Sequence, residues 1–130
     1  MDDKLYFDVL NKIKKELRTA QSKALISSNE QMVTAYYNIG KRLIENDAWG
    51  TGFIKTLATD LKLSFPEVKG LSATNLRYMK KFANTYTDSE IFQQPVGKLT
   101  WRANLKLLDK LKTNDERLWY AKKSTRKWLV

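Results

Sequence analysis

Apolar residues in this chain recur at intervals of three and four along nearly its whole length, and no stretch sustains the period-two alternation of a half-buried strand. That spacing paints one face of a helix and predicts an all-α chain. Leu5, Val9, Ile13, Leu17, Ala20 and Ala24 form the first stripe, with Lys12, Lys15 and Arg18 off it. The break at Ser27-Ser28-Asn29 offers N-cap hydroxyls, and Glu30 follows Ser27 at capping-box spacing. Met32, Tyr36, Ile39 and Leu43 make a second stripe, which ends in the breaker-rich run 46–52. There Trp49-Gly50 reads as an indole folded over a tight turn whose glycine takes positive φ. Ile54, Leu57, Ala58 and Leu61 mark a third helix that stops before Pro66, because a residue preceding proline is pushed out of the α region.

Residues 64–71 read as a connector, and Ser72 as the N-cap of a fourth helix with Leu76, Met79, Ala83 and Tyr86 facing inward. Residues 87–97 read as a polar loop, with 95–99 a candidate extended piece. Two more helices follow, one through Trp101, Leu105, Leu108 and Leu111, the other around Leu118, Trp119 and Ala121. The expectation is an all-α, compact bundle of about six helices containing a helix-turn-helix-like unit, in one domain over residues 1–130.

A domain of 130 residues buries roughly two-thirds of its unfolded surface, so it needs no staple to hold a core. The sequence has no cysteine and no histidine. Thiol chemistry, disulfides, zinc fingers and Ser-His-Asp relays are therefore excluded. No run of about 18 apolar residues occurs, so no membrane span is expected. The amino-terminal residues lack the apolar stretch of a signal peptide, and the expectation is a cytoplasmic protein.

The net charge of +10 is unevenly spread. Residues 1–67 hold 10 basic and 9 acidic side chains, whereas 68–130 hold 14 and 5. The stretches 68–87, 91–108 and 117–130 carry cations and no acid. Such a field attracts phosphate backbones. Rotating the fourth helix at 100° per residue gathers Leu76, Met79, Phe82, Ala83 and Tyr86 on one side. Thr74, Arg77, Tyr78, Lys81, Asn84 and Thr85 gather on the other. Arginine can grip guanine in a bidentate fork, asparagine can pair with adenine, and the N-terminus near Ser72 offers backbone N–H groups to a phosphate. The third and fourth helices thus resemble a helix-turn-helix, with a connector of about eight residues where three or four are usual. Arg77, Tyr78 and Lys81 with Ser72 and Thr74 are expected to face the groove. Lys69 and Lys80 are expected on the phosphate backbone, extended by Lys122, Lys123, Arg126 and Lys127.

Other motifs have plainer explanations. Glu67-Val68-Lys69 and Asp60-Leu61-Lys62 echo nuclease E-x-K and D-x-K signatures, but they lie on a loop and a helix end without the converging strand carboxylates that Mg²⁺ needs. Asp115-Glu116 follows Thr113-Asn114 at a helix start, where negative charge complements the helix dipole. Trp49, Trp101, Trp119 and Trp128 read as packing anchors rather than base-stacking platforms; of the four, Trp128, beside Arg126 and Lys127, is the best placed to be an exception. No catalytic residue, cofactor or metal is expected.

An ordered series of motifs resembles the YhcG N-terminal domain family across residues 10–130. They are Tyr36-Tyr37-Asn38-Ile39-Gly40-Lys41, Trp49-Gly50, Leu57-Ala58-Thr59-Asp60-Leu61, Phe65-Pro66, Gly70-Leu71-Ser72, Asn75-Leu76-Arg77-Tyr78-Met79 and Leu99-Thr100-Trp101. The resemblance implies a helix-turn-helix module for duplex DNA, usually followed by a C-terminal PD-(D/E)XK nuclease domain. This chain resembles the first part alone, so the implied partner is that domain or a separate nuclease subunit, and nothing catalytic carries over. The alternative is a protein-interaction module, a homodimer through residues 5–25, whose three-and-four spacing suits a partner helix.

Overall fold

A computed structural model describes residues 3–24, 29–46 and 50–128, the side chains of 21–24, 29, 51 and 125–128 excepted. Among the described residues there are seven α-helices, one 3₁₀ turn and no strand. The first helix, α1 (Asp3–Ala24), buries Tyr6, Val9, Leu10, Ile13 and Leu17. The second, α2 (Asn29–Glu45), is buried over most of its girth, through Val33, Ala35, Tyr36, Tyr37, Ile39 and Leu43. The expected capping residues Ser27 and Ser28, like Trp49, lie outside the described residues. Gly50 does take φ +78°, and α3 (Thr51–Ser64) starts directly after it. Phe65 closes that helix by donating its N–H to Leu61 O, one residue ahead of Pro66.

Residues 65–72 lead to α4 (Ala73–Thr85), where the Ser72 hydroxyl accepts the Asn75 N–H at 3.1 Å. The stretch expected as a polar loop instead folds into α5 (Asp88–Gln93) and a 3₁₀ turn (Pro95–Lys98). A capping box starts α5: the Thr87 hydroxyl accepts the Glu90 N–H, and the Glu90 carboxylate accepts the Thr87 N–H. Pro95 opens the tight turn because its fixed φ suits a helical first position, so 95–98 is not extended and only Leu99 takes extended backbone. Thr100 caps α6 (Trp101–Lys110), and Thr113 accepts the Glu116 N–H at the start of α7 (Asn114–Trp128). Asp115 and Glu116 occupy the first turn of α7, as the dipole argument requires.

Two apolar clusters make the core. One joins α1, α2, α3 and the first half of α4 through residues such as Ile13, Ile39, Leu57, Leu61, Leu76 and Met79. The other joins the second half of α4 to α2, α5, the 3₁₀ turn, α6 and α7 through Val33, Phe82, Tyr86, Ile91, Val96, Leu108 and Ala121. Thus α2 and α4 form a wall shared by both clusters. They touch closely at Gly40, where a β-carbon would stand 2.1 Å from the Met79 carbonyl oxygen and 2.8 Å from the Ala83 β-carbon. Leu5 and Met32, expected on inner stripes, are exposed; Tyr6 and Val33 take the buried positions.

Candidate nucleic-acid interface

The sequence rotation of α4 agrees with its burial. Leu76, Met79, Phe82, Ala83 and Tyr86 are buried. The exposed positions are Thr74, Arg77, Lys81 and Asn84, spaced three, four and three apart and hence on one line down the helix. Among the described residues neither Arg77 nor Lys81 makes an ion pair. Ser72 is exposed at the head of this line, its hydroxyl committed to the cap.

Tyr78 and Lys80 flank that line rather than joining it. Tyr78 is half-buried against the second cluster, and its hydroxyl donates to Asp109 of α6 at 3.0–3.1 Å. That bond and the Asp109 charge raise its pKa above the ordinary phenol value. Tyr78 therefore holds α6 against α4 instead of reaching outward. Lys80 is half-buried on the other flank, where with Arg77 it edges a cleft of about 420 Å³ floored by Leu43, Phe53 and Ile54. Lys69 is exposed on the connector.

The second group of expected cations lies on α7. Lys122 and Lys123 are exposed, and the Lys123 ammonium sits 4.7 Å from the centre of the Trp119 ring. The side chains of Arg126, Lys127 and Trp128 lie outside the described residues. A hydrogen bond from the Asn114 amide to Thr85 O ties the start of α7 to the end of α4. Lys122 is a further ~12 Å along α7 from that tie. Trp119 is a correction: it is exposed, not a packing anchor. Two steps of 100° turn it about 160° away from the buried Ala121, a signal available in the sequence but outweighed by its residue type. Arg117 points inward instead, donating to Leu111 O at 2.6 Å and Asn114 Oδ1 at 2.8 Å, where it stitches the end of α6 to α7.

The nuclease-like triplets do not assemble. Asp60 accepts the Tyr6 hydroxyl, Glu67 and Lys69 are exposed on the connector, and the described residues hold no group of three carboxylates fit for a metal. The inner stripe of α1 is occupied within the chain, against α2 and α3. Leu25, at the end of the expected dimer segment, lies outside the described residues. No helix among the described residues is long and apolar enough to cross a membrane.

Residues 12–129 match the family described as the DUF1016 N-terminal domain. This chain belongs to that family. It is also similar to the Escherichia coli (strain K12) protein described as "Putative nuclease YhcG", at 35% identity over 89 residues, 63% of this chain and 23% of the relative. The chain thus spans under a quarter of that relative's length. No solved structure matches it.

Residues from four of the motifs that carry the family likeness, Tyr36, Gly70, Asn75 and Trp101, converge in space around the head of α4. The Tyr36 ring meets Trp101 edge-on at 4.9 Å. Trp101 Nε1 donates to Asn75 Oδ1 at 2.8 Å, and Asn75 Nδ2 donates to Gly70 O at 2.7 Å. Gly70 takes φ +90°, and a β-carbon there would lie 2.7 Å from the Tyr36 hydroxyl, so glycine meets both demands. These links fasten α2, the connector and α6 to the first turn of α4. Lys41, one motif cation, is paired with Asp88 at 3.0 Å. Arg77 is the motif cation on the outer line of α4. In a helix-turn-helix the preceding helix braces the recognition helix. Here α4 meets α3 after eight connecting residues, but its closest brace is α2, at Gly40.

Proposed function

We propose that this chain is a duplex DNA-binding module that enters the major groove with the outer line of α4. The observation that carries this reading is the Thr74–Arg77–Lys81–Asn84 line, exposed along its length, with two cations that make no ion pair among the described residues. Arg77 and Lys81 would reach base edges, Thr74 and Ser72 the phosphates at the helix head, and Lys69 and Lys80 the flanking backbone. Tyr78 serves as a brace through Asp109. The excess of cations in residues 68–130 supplies the long-range attraction. The description of the relative as a nuclease supports a nucleic-acid target. In this reading the module delivers a nuclease to DNA, either a C-terminal PD-(D/E)XK domain of the same chain or a separate subunit, and has no catalytic residue of its own.

The R77A/K81A variant tests it. One good bidentate base contact is worth about 1–3 kcal/mol, so the pair should cost roughly thirty-fold or more in duplex affinity. The slope of log affinity against log salt should become shallower by about one to two. Stability should hardly change, since both side chains are exposed. Fluorescence anisotropy with labelled duplex at several salt concentrations reads both quantities. Parent-like binding by the variant removes α4 as the reading helix.

A second reading, self-association through α1, draws on Leu5 and Phe7, which are 54% and 56% exposed. In that case light scattering gives a dimer for the parent and a monomer for L5E/F7E. A monomeric parent ends this reading and leaves the first untouched.

A further inference from the structure

The outward side of α7 carries a feature that groove binding by α4 does not use. Trp119 and Tyr120 are 52% and 47% exposed, with ring centres 4.8 Å apart and planes nearly perpendicular. Lys123 lies over the Trp119 ring, and Lys122 is exposed beside it. From Arg117 onward the sequence holds no acid, and with Arg117 turned inward Lys122 and Lys123 are the cations described as exposed on this helix. The carboxylate one residue before this run, Glu116, accepts the Thr113 hydroxyl at 2.9 Å and is held toward the helix start. The surface therefore offers aromatic rings interleaved with ammonium groups.

Two kinds of chemistry fit aromatic rings in water, and the charge chooses between them. A purely apolar partner would gain nothing from Lys122 and Lys123 and would have to desolvate them. A ligand that alternates flat π-faces with negative charges satisfies both elements at once. Single-stranded nucleic acid is such a ligand, because unpaired bases stack on aromatic side chains while the phosphates meet cations. A duplex keeps its base faces stacked inside and offers α7 only phosphates.

We propose that Trp119 and Tyr120 form a stacking platform for unpaired bases of a nucleic-acid strand, with Lys122 and Lys123 taking the phosphates on either side. This site is independent of α4: one takes a strand with free bases, the other a paired groove.

Anisotropy on the 130-residue chain tests it, with labelled oligodeoxyuridine and oligouridine of about 12 nucleotides, and an abasic strand of equal length and charge. The parent should prefer a base-bearing strand to the abasic one by roughly ten-fold or more. The tighter of the two base-bearing strands identifies the natural sugar. W119A/Y120A should abolish the preference, W119F/Y120F should keep most of it, and circular dichroism should show both folded. Duplex affinity should stay with the parent in both variants, whereas R77A/K81A should lose duplex binding and keep the preference for bases. Equal binding of base-bearing and abasic strands by the parent overturns the proposal, as expected if the aromatic pair serves a protein or lipid surface. A W119A/Y120A variant that still discriminates overturns it too.

Discussion

Replacing Gly40 with alanine is expected to destabilise the protein by about 3 kcal/mol or more and to lower its melting temperature by roughly 10 °C. The added β-carbon would stand 2.1 Å from the Met79 carbonyl oxygen and 2.7 Å from the carbonyl carbon. Both are backbone atoms, so no rotamer change relieves the clash and α2 and α4 must part. Those helices wall both apolar clusters, so their separation loosens contacts around Ile39 and Met79 on one side and Phe82 on the other. A domain of this size has about 5–15 kcal/mol of net stability, so the loss is a large share of it. Gly52 supplies the contrast. It lies in the first turn of α3, where an added β-carbon would meet nothing within 4 Å, so Gly52→Ala should be neutral or stabilise by up to about 1 kcal/mol. Scanning calorimetry on the two variants gives the comparison. A Gly40→Ala protein melting within about 2 °C of the parent would mean that the helices are not in contact there.

That glycine also marks a limit of what the residue pattern reveals. Periodicity located the long helices, because three or more turns of apolar spacing leave little ambiguity. It also separated the inner and outer sides of α4 correctly, since that division follows from rotation alone. It misjudged Leu5 and Met32 in the opening turns of α1 and α2, where the buried positions fall one residue later, at Tyr6 and Val33. It passed over α5 because six residues make fewer than two turns, too short to show a period. The Thr87–Glu90 capping pair was the available clue. A lone glycine inside a helical stripe signals close packing, but the stripe does not say against what.

The outer line of α4 was legible for the same reason as its inner side. Its borders were not. Tyr78 meets Asp109, 31 residues later, and Lys80 edges a cleft shared with Leu43 and Phe53 from two other helices. Such pairings are tertiary, and helical rotation carries no trace of them. The likeness to the family was visible as an ordered set of motifs, but the work of those motifs was not. Tyr36, Gly70, Asn75 and Trp101 hold the head of α4 in place, and Arg77 alone among the motif cations shares its outer line with Lys81.

Raising the pH above 10 is expected to unfold the protein in a cooperative step between roughly pH 11 and 12. Four buried phenols resist ionisation. Burial is the main cause in each case. Tyr6 and Tyr37 are raised further because they donate to Asp60 and Asp88, whose negative charge opposes a phenolate. Tyr86 is pushed up to about 12, with Arg117 pulling partly the other way, and its hydroxyl has no hydrogen-bond partner among the described residues. A pKa raised in the folded state gives stability that is complete below the unfolded value, near 10 for tyrosine. It is lost as the pH climbs from there through the folded value. The rise at Tyr86 alone corresponds to roughly 3 kcal/mol, a large share of the net stability, and the shifts at Tyr6, Tyr36 and Tyr37 act in the same direction. Tyr36 and Tyr37 lie on α2 and Tyr86 caps α4, so the charge would build up along the wall between the clusters. Phenolate absorbance and far-ultraviolet circular dichroism should therefore change together. Tyr86→Phe should raise the alkaline midpoint and shift neutral-pH stability by only about 0.5 kcal/mol, since its hydroxyl bonds nothing in the described structure. Helicity that persists at pH 12 while every tyrosine has ionised would show that these phenols are open to solvent and that the wall between the clusters is not packed as described.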